Sequence, residues 1–462
     1  MSKKKQKPIT DIKPVDALSQ INTNAAGLDI GAREIYVCVP ADRDAEFVRA
    51  FPTFTRDLYA LAEWLTTCGV KTVVMESTGV YWIPVYEILE SRGFEVCLVN
   101  ARHLKNVPGK KTDVLDCQWI QQLHTYGLLR ASFRPPEEIC ALRALVRHRD
   151  NLIRYRSAHI QHMQKALQQM NVQLTQVVSD ITGVTGLSII RAIVAGEHNP
   201  RVLARLRNSM CAKSEAEIAA ALHGNYRFEH LFVLKQALEQ YDFYDQQLRA
   251  CDAQIEAKYA SLPPARHDGD DVPPPPMPTR RKPRKNQAHF DLATSLYHAV
   301  GVDLTAIDGI DALLAQKIIA EIGLDMSKWP TVKHFSSWLG LSPHNKKSGG
   351  KVLSSRTKKT QNRANTAFRI AAQSLSRSHS ALGGFYRRMK ARLGAAQANV
   401  ATAHKLARIV YHMLKHRQPY RDPGEAYYDQ QWRERAIRNL KRKAASLGLE
   451  LASPASVTGD VS

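Results

Sequence analysis

From Ala25 to about Leu129, short apolar runs alternate with amphipathic stretches, which is the pattern of an α/β domain. Gly27–Val39 (GLDIGAREIYVCV) reads as a strand, a tight turn and a second strand, while Thr72–Met75 and Glu95–Val99 read as further strands. Phe54–Cys68 and Val80–Arg92 have helical spacing. From Glu137 to about Tyr259 the strand signal stops and apolar residues recur at helical spacing. Leu142, Leu145, Leu152, Ile160, Met163, Leu167, Met170 and Leu174 form one long seam, which suits either a dimerising coiled coil or the core of a helical bundle. Leu262–Gln287 breaks the pattern with a proline run and a basic cluster and reads as a flexible linker or an insertion. Leu304–Gly323 predicts helix, a short Gly-containing hairpin and helix, a turn that either aims backbone N–H groups at a phosphate or simply packs. Gly323–Ser342 and Asn365–Lys415 read as helical around a basic loop, and Ala445–Ser462 is small, polar and expected to be disordered.

The fold class is therefore α/β plus all-α. A chain of 462 residues with 44% hydrophobic content has material for two or three domains with real cores. The expected division is a basic disordered arm over 1–24, an α/β domain over 25–136, a helical region over 137–261, the linker over 262–287, a C-terminal helical domain over 288–422 and a helical, then disordered tail over 423–462.

Charge narrows the partner. Lys and Arg number 65 against 43 Asp and Glu, a formal net charge of +22, and so basic a surface attracts a polyanion. Nucleic acid is the expected partner. A membrane is the competing anion, but the sequence has no run of about 18 apolar residues to span one, so no membrane partner is expected. Met1–Thr10 is Lys-rich without an apolar stretch behind it, which is not a secretory signal and points to the cytoplasm. The cysteines (Cys38, Cys68, Cys97, Cys117, Cys140, Cys211, Cys251) contain no C-x-x-C pair and read as reduced and structural.

Two constellations carry candidate chemistry. Asp29 follows an apolar strand segment and would be held near the sheet centre with little solvent, where a carboxylate needs a partner or a metal; alone, it is equally a strand-end acid that caps a turn. Glu76 repeats the arrangement at the end of the next strand. Asp113 and Asp116, three apart in KTDVLDCQW, share one side of a helix, as solvated surface acids also do. Together the four offer hard oxygen ligands without Cys or His, which suits Mg²⁺ or Mn²⁺, and paired ions of this kind stabilise the attacking and leaving oxygens of a phosphodiester. The second constellation is His344–Asn365, which holds Lys346, Lys347, Lys351, Arg356, Lys358, Lys359 and Arg363 without an acid, a segment suited to a phosphate backbone. Within it Ser348 precedes Gly349 and Gly350, so its hydroxyl is either a nucleophile or a turn-forming, phosphate-contacting group.

The segments GLDIG, MESTGVYW, KTDVLDCQW, DITGVTGLSIIRAI, IDGID and WLGLSPHNKKSGGKVLSSRTKK, in this order between about Ala25 and Asp422, resemble the DEDD transposases of the insertion-sequence one-ten family, most closely its eleven-eleven subgroup. The resemblance implies a RuvC-like, ribonuclease-H-like domain carrying Asp29, Glu76, Asp113 and Asp116, which the strand and helix order also fits. It further implies an internal coiled coil, a helix-hairpin-helix-like element in a second transposase domain, and a serine in that domain, here Ser348, that forms a covalent phosphoserine link to DNA. The family's tetramer of paired dimers, its structured noncoding bridge RNA and a bacterial, nucleoid-associated setting are implied in the same way. Tyr81, Trp82 and Trp119 are compatible with RNA, though burial accounts for them as well. Two departures stand out: Asp311 occupies the position in the hairpin where a second Gly would suit phosphate contact, and the segment over 262–287 looks inserted.

Three other readings compete. Asp-Ile-Gly on a first hairpin also opens sugar-kinase and actin-like ATPases, but the later Gly-rich nucleotide loops are missing from the sequence. A metal-dependent junction nuclease would use the four acids without a serine step. A binding protein that has lost its chemistry would not need the intact acid set.

Overall fold

The computed structural model describes residues 19–77, 79–100, 113–265, 275 and 285–450, with residues 113–115 described for their backbone alone. The chain divides into two compact units between Arg134 and Pro135. Among the described residues no helix is long and apolar enough to cross a membrane.

The first unit is built on a five-stranded sheet in the order β3-β2-β1-β4-β5, with β1 at Ala25–Ile30, β2 at Glu34–Cys38, β3 at Val48–Pro52, β4 at Thr72–Glu76 and β5 at Glu95–Val99. β1, β2 and β3 pair antiparallel, whereas β1, β4 and β5 pair parallel. This mixed order is consistent with a RuvC-like domain. The parallel links require crossovers, which helix α1 (Thr55–Thr67) and helix α2 (Trp82–Ser91) supply. Alternate residues of the strands face opposite sides, so Ala26, Leu28, Ile35, Val37, Val73 and Met75 pack against Leu58, Leu61 and Leu65 of α1 and Val85 and Leu89 of α2. The other face carries Val74 and Val99, covered by Ile120 of helix α3 (Asp113–Thr125). β3 is absent from the sequence reading. It is an edge strand without a fully buried residue and with Arg49 at its second position, so no apolar alternation marks it.

The second unit is dominated by two helices, α4 (Glu137–Gln169) and α9 (Phe228–Ser261), each about 50 Å long at 1.5 Å per residue, which pack on one another within the chain. The predicted seam runs along α4 to Met170, where the helix has ended; Leu174 opens the separate short helix α5 (Leu174–Val177). Between the long helices, α6 (Val184–Val194), α7 (Pro200–Ala204) and α8 (Glu215–Ala221) close a core that includes Met163, Leu167, Ile189, Leu203, Ile218 and Leu234. The DITG motif is the turn before α6, with Asp180 accepting from the backbone N–H and hydroxyl of Thr182 at 2.9 and 2.7 Å. Buried Arg149 of α4 pairs with buried Asp252 of α9, and His289 Nδ1 lies 2.6 Å from the same carboxylate. Removing either partner of such a pair would leave an uncompensated buried charge. The segment over 262–287 lies largely outside the described residues; at its end, the carbonyls of Asn286 and Gln287 accept from Arg149 at 3.2 and 2.9 Å.

The rest of the unit comprises α10 (Leu292–Val300), α11 (Ala312–Ile322), α12 (Val332–Trp338), a hairpin of β6 (Lys346–Ser348) and β7 (Lys351–Ser354), α13 (Arg363–Ser374), α14 (Ala381–Leu393), α15 (Ala395–His416) and α16 (Gly424–Ser446). Phe335, Phe368 and Tyr411 are fully buried here, and the Tyr411 hydroxyl donates to the Trp329 carbonyl at 2.8 Å. Two expectations need correction. The first helix predicted in Leu304–Gly323 is only a three-residue 3₁₀ turn, Leu304–Ala306, and the predicted basic loop contains a β-hairpin.

Candidate active site

The first unit places Asp29 and Glu76 near the carboxyl ends of two neighbouring inner strands of its sheet. β1 and β4 run parallel with Leu28 opposite Met75, so Asp29 and Glu76 are each the next residue along neighbouring strands. By strand alternation both lie on the face that holds Gly27 and Val74, the face that α3 covers. Both are partly exposed, so Asp29 is less enclosed than its apolar strand predicts.

Gly27 sets how closely α3 approaches. A Cβ at this position would lie 2.4 Å from both the Cys117 carbonyl oxygen and the Gln121 backbone nitrogen. Only a bare strand backbone admits the helix at that distance. Gln121 Nε2 also donates to the Ala25 carbonyl at 3.3 Å, and the Asp29 charge acts on Cys117. Reading along β1 from Ala25 to Asp29 therefore means reading back along α3 from Gln121 towards its start, where residues 113 and 116 stand. The N-terminal end of a helix carries positive partial charge and favours anions, so this placement suits a carboxylate-rich edge. Gly27→Ala is expected to destabilise the first unit by about 1–3 kcal/mol through overpacking and to displace α3, with whatever activity depends on it. Unchanged urea unfolding together with full activity would show that α3 does not depend on this contact.

Cys117 lies directly beneath this edge. Burial, then the neighbouring Cys38 and Asp29, pushes its thiol up to about 12, and burial alone pushes Cys38 up to about 11. The prediction is that both thiols resist alkylation at pH 8 in the native protein and react only after unfolding. Fast native labelling of either, located by mass spectrometry, would contradict the packing of α3 on β1.

Asp116 is partly exposed on α3, and Asp113 is the first residue of that helix, its side chain outside the description. Among the described residues no three His, Cys, Asp or Glu side chains are grouped closely enough to hold a metal ion. The four residues are all hard-oxygen donors and come from three segments far apart in sequence.

The second constellation is an exposed arm. Lys346 pairs with Ser354, Lys347 with Val352 and Ser348 with Lys351, and Gly349 and Gly350 form the two-residue turn with φ of 54° and 77°. Positive φ at both central residues is what this turn demands, and nothing lies within 4 Å of a Cβ added at either. The glycines serve backbone conformation rather than close packing. Lys346, Lys347, Ser348, Lys351, Arg356, Lys358, Lys359 and Arg363 are all exposed. The base of the arm is fixed: His344 N donates to the Arg356 carbonyl at 3.1 Å, and Asn365 Nδ2 donates to the Leu339 carbonyl at 2.8 Å. Ser348 thus stands at the tip, while the Ser354 hydroxyl turns inward to accept from Arg356 N at 3.4 Å.

The turn over Gly309 packs. A Cβ on Gly309 would lie 2.6 Å from the Ala371 carbonyl of α13, and the Asp311 carboxylate caps α11 by accepting from Leu314 N at 2.9 Å. An acid seated at that helix end disfavours a phosphate there. Of the aromatics considered for RNA, Tyr81 is exposed, and Trp82 and Trp119 are partly buried. Sequence reasoning passed over Gly27, although a glycine inside an apolar strand is itself a signal of close backbone approach.

Residues 26–172 match a family model for a DEDD transposase of the IS110 type, and residues 303–387 match a model described as a transposase of the IS116/IS110/IS902 family. The first match takes in β1 through α4, including all four acids, and the second takes in the hairpin with Ser348. A search of curated proteins gives no match.

Proposed function

Since the chain belongs to the IS110 family of transposases and is therefore an enzyme that acts on DNA, we propose that Asp29, Glu76, Asp113 and Asp116 hold Mg²⁺ or Mn²⁺ in a RuvC-like domain and that Ser348 is the nucleophile of strand transfer. The observation that supports this reading is the seating of α3 on Gly27, which turns the start of that helix toward the strand ends that carry Asp29 and Glu76. A bound divalent cation would stabilise negative charge on the scissile phosphate and on the leaving oxygen. The residues of the chain supply the rest. Ser348 Oγ forms a bond to phosphorus, the bond from phosphorus to the leaving DNA oxygen breaks, the serine proton passes to a carboxylate or to solvent, and the leaving end departs as a hydroxyl after taking up a proton. The phosphoester bond is thereby stored on the protein, and religation by an incoming hydroxyl needs no ATP. Lys346, Lys347, Lys351, Arg356, Lys358, Lys359 and Arg363 hold the strand by its phosphates.

The resemblance supports the tetramer, an internal coiled coil along α4 and α9, and guidance by a structured noncoding RNA, as parts of the same proposal.

The test is reconstitution. Purified protein, the structured RNA of its element, donor and target DNA and Mg²⁺ are expected to give joined products without ATP. Cleaved but never joined DNA as the sole product would make the protein a metal-dependent nuclease instead. DNA affinity should also fall about 10³-fold or more between 50 and 200 mM salt, as for a protein that neutralises six or more phosphates. A flat response would detach the +22 charge from DNA binding.

A further inference from the structure

The C-terminal helix α16 has a docked half and a free half, and its charges are sorted between them. On the docked half, Glu425 pairs with Arg387, Asp429 pairs with Arg388 at 2.7 Å, and the Arg388 guanidinium lies over the Trp432 ring at 4.0 Å. Tyr428 completes the attachment by meeting Phe385 edge-on at 6.1 Å between ring centres. Beyond Trp432 the helix is mostly exposed, although Arg435 still lies near enough to Lys405 of α15 to act on its charge. Arg433, Arg435, Arg438, Lys441, Arg442 and Lys443 are all exposed there, with Glu434 the only acid as far as Lys443. Among the described residues none of these six cations is paired with a carboxylate.

Such a helix works against itself in isolation. Arg435, Arg438 and Arg442 follow one another at intervals of three and four residues, so they share a face, and like charges at those intervals destabilise a helix. The docked half neutralises its own acids against the body, which leaves the free half with Glu434 alone to offset six cations. A polyanion offsets them. The three arginines span about 10 Å along the axis, a length over which a nucleic-acid backbone presents several phosphates. The large apolar side chains within the free half are Ile437 and Leu440 alone, with Leu447 just past its end, a narrow stripe beside six cations.

We propose that the free half of α16 is a second nucleic-acid contact surface, in which Arg435, Arg438 and Arg442 bind the phosphodiester backbone without regard to sequence. The surface lies outside the hairpin arm and outside both family matches, and it stands whether or not Ser348 is the nucleophile.

The experiment uses the full chain carrying Arg435→Gln, Arg438→Gln and Arg442→Gln together, substitutions that keep helix propensity, and measures affinity against salt for a 30-base-pair duplex DNA and for a structured RNA hairpin. For duplex DNA the slope of log affinity against log salt should become shallower by roughly 2 to 3, near 0.9 per lost phosphate contact. A comparable loss on the RNA alone also supports the proposal and identifies RNA as the source of the phosphates. The corresponding triple Lys variant, which keeps the charge, should retain the wild-type slope; a loss there as large as in the Gln variant would mean that helix structure rather than charge is read, and would overturn the proposal. Unchanged slopes on both nucleic acids in a Gln variant with wild-type circular dichroism would overturn it too. So would unchanged slopes with loss of binding to phosphatidylserine vesicles, which would give the helix to a membrane surface.

Discussion

Asp29→Asn, Glu76→Gln, Asp113→Asn and Asp116→Asn should each lower strand exchange on the order of 10³-fold or more while leaving DNA affinity within a few-fold of wild type. Each substitution keeps the shape of the side chain and removes one anionic oxygen donor from the proposed cation site, and a loss of several kcal/mol of transition-state stabilisation corresponds to that factor. Affinity should persist because it comes from cations elsewhere, above all the exposed arm from Lys346 to Arg363. A mere surface acid would behave otherwise: its removal from so basic a protein would tighten DNA binding slightly and leave the reaction intact. Rates of product formation beside filter-binding affinities separate the two, and full exchange by any two of the variants would dissolve the site.

The strands around this site were legible because β1, β2, β4 and β5 carry apolar runs that the sheet buries. The two acids at strand ends were legible for the same reason, since an acid that follows such a run breaks the pattern. The packing of α3 on β1 was not, because it depends on the closeness that Gly27 permits and not on any periodicity. The edge strand β3 escaped notice because one side of it is unpaired and its burial is only partial.

The hairpin β6–β7 is exposed on both faces, so no hydrophobic alternation marks its strands, and the Gly-Gly pair was its one local sign. The segment Leu304–Ala306 looked helical by its residue types, yet the backbone turns extended at Ile307 and left-handed at Gly309, which leaves it a single turn. In the long helical pair, the seam on α4 was plain, whereas the buried side of α9 includes Cys251 and Asp252, the latter tolerable only because Arg149 meets it. A polar residue buried by a distant partner is invisible to any pattern drawn from one segment.

Ser348 is the residue on which covalent chemistry depends. It stands at the tip of a fixed-base arm, beside two glycines whose conformation makes the turn and among lysines without a competing acid. A serine that attacks phosphorus leaves the protein covalently joined to one DNA end, an adduct that survives denaturation, whereas a serine that only contacts phosphate leaves none. Wild-type protein incubated with end-labelled DNA, Mg²⁺ and its RNA, then denatured and run on a gel, should show labelled protein. Ser348→Ala should lose that band and the recombinant product while still binding DNA, and Ser354→Ala and Ser355→Ala should keep some of it. An adduct that persists in Ser348→Ala, or its absence from wild-type protein that is forming recombinant product, would contradict serine catalysis at this position.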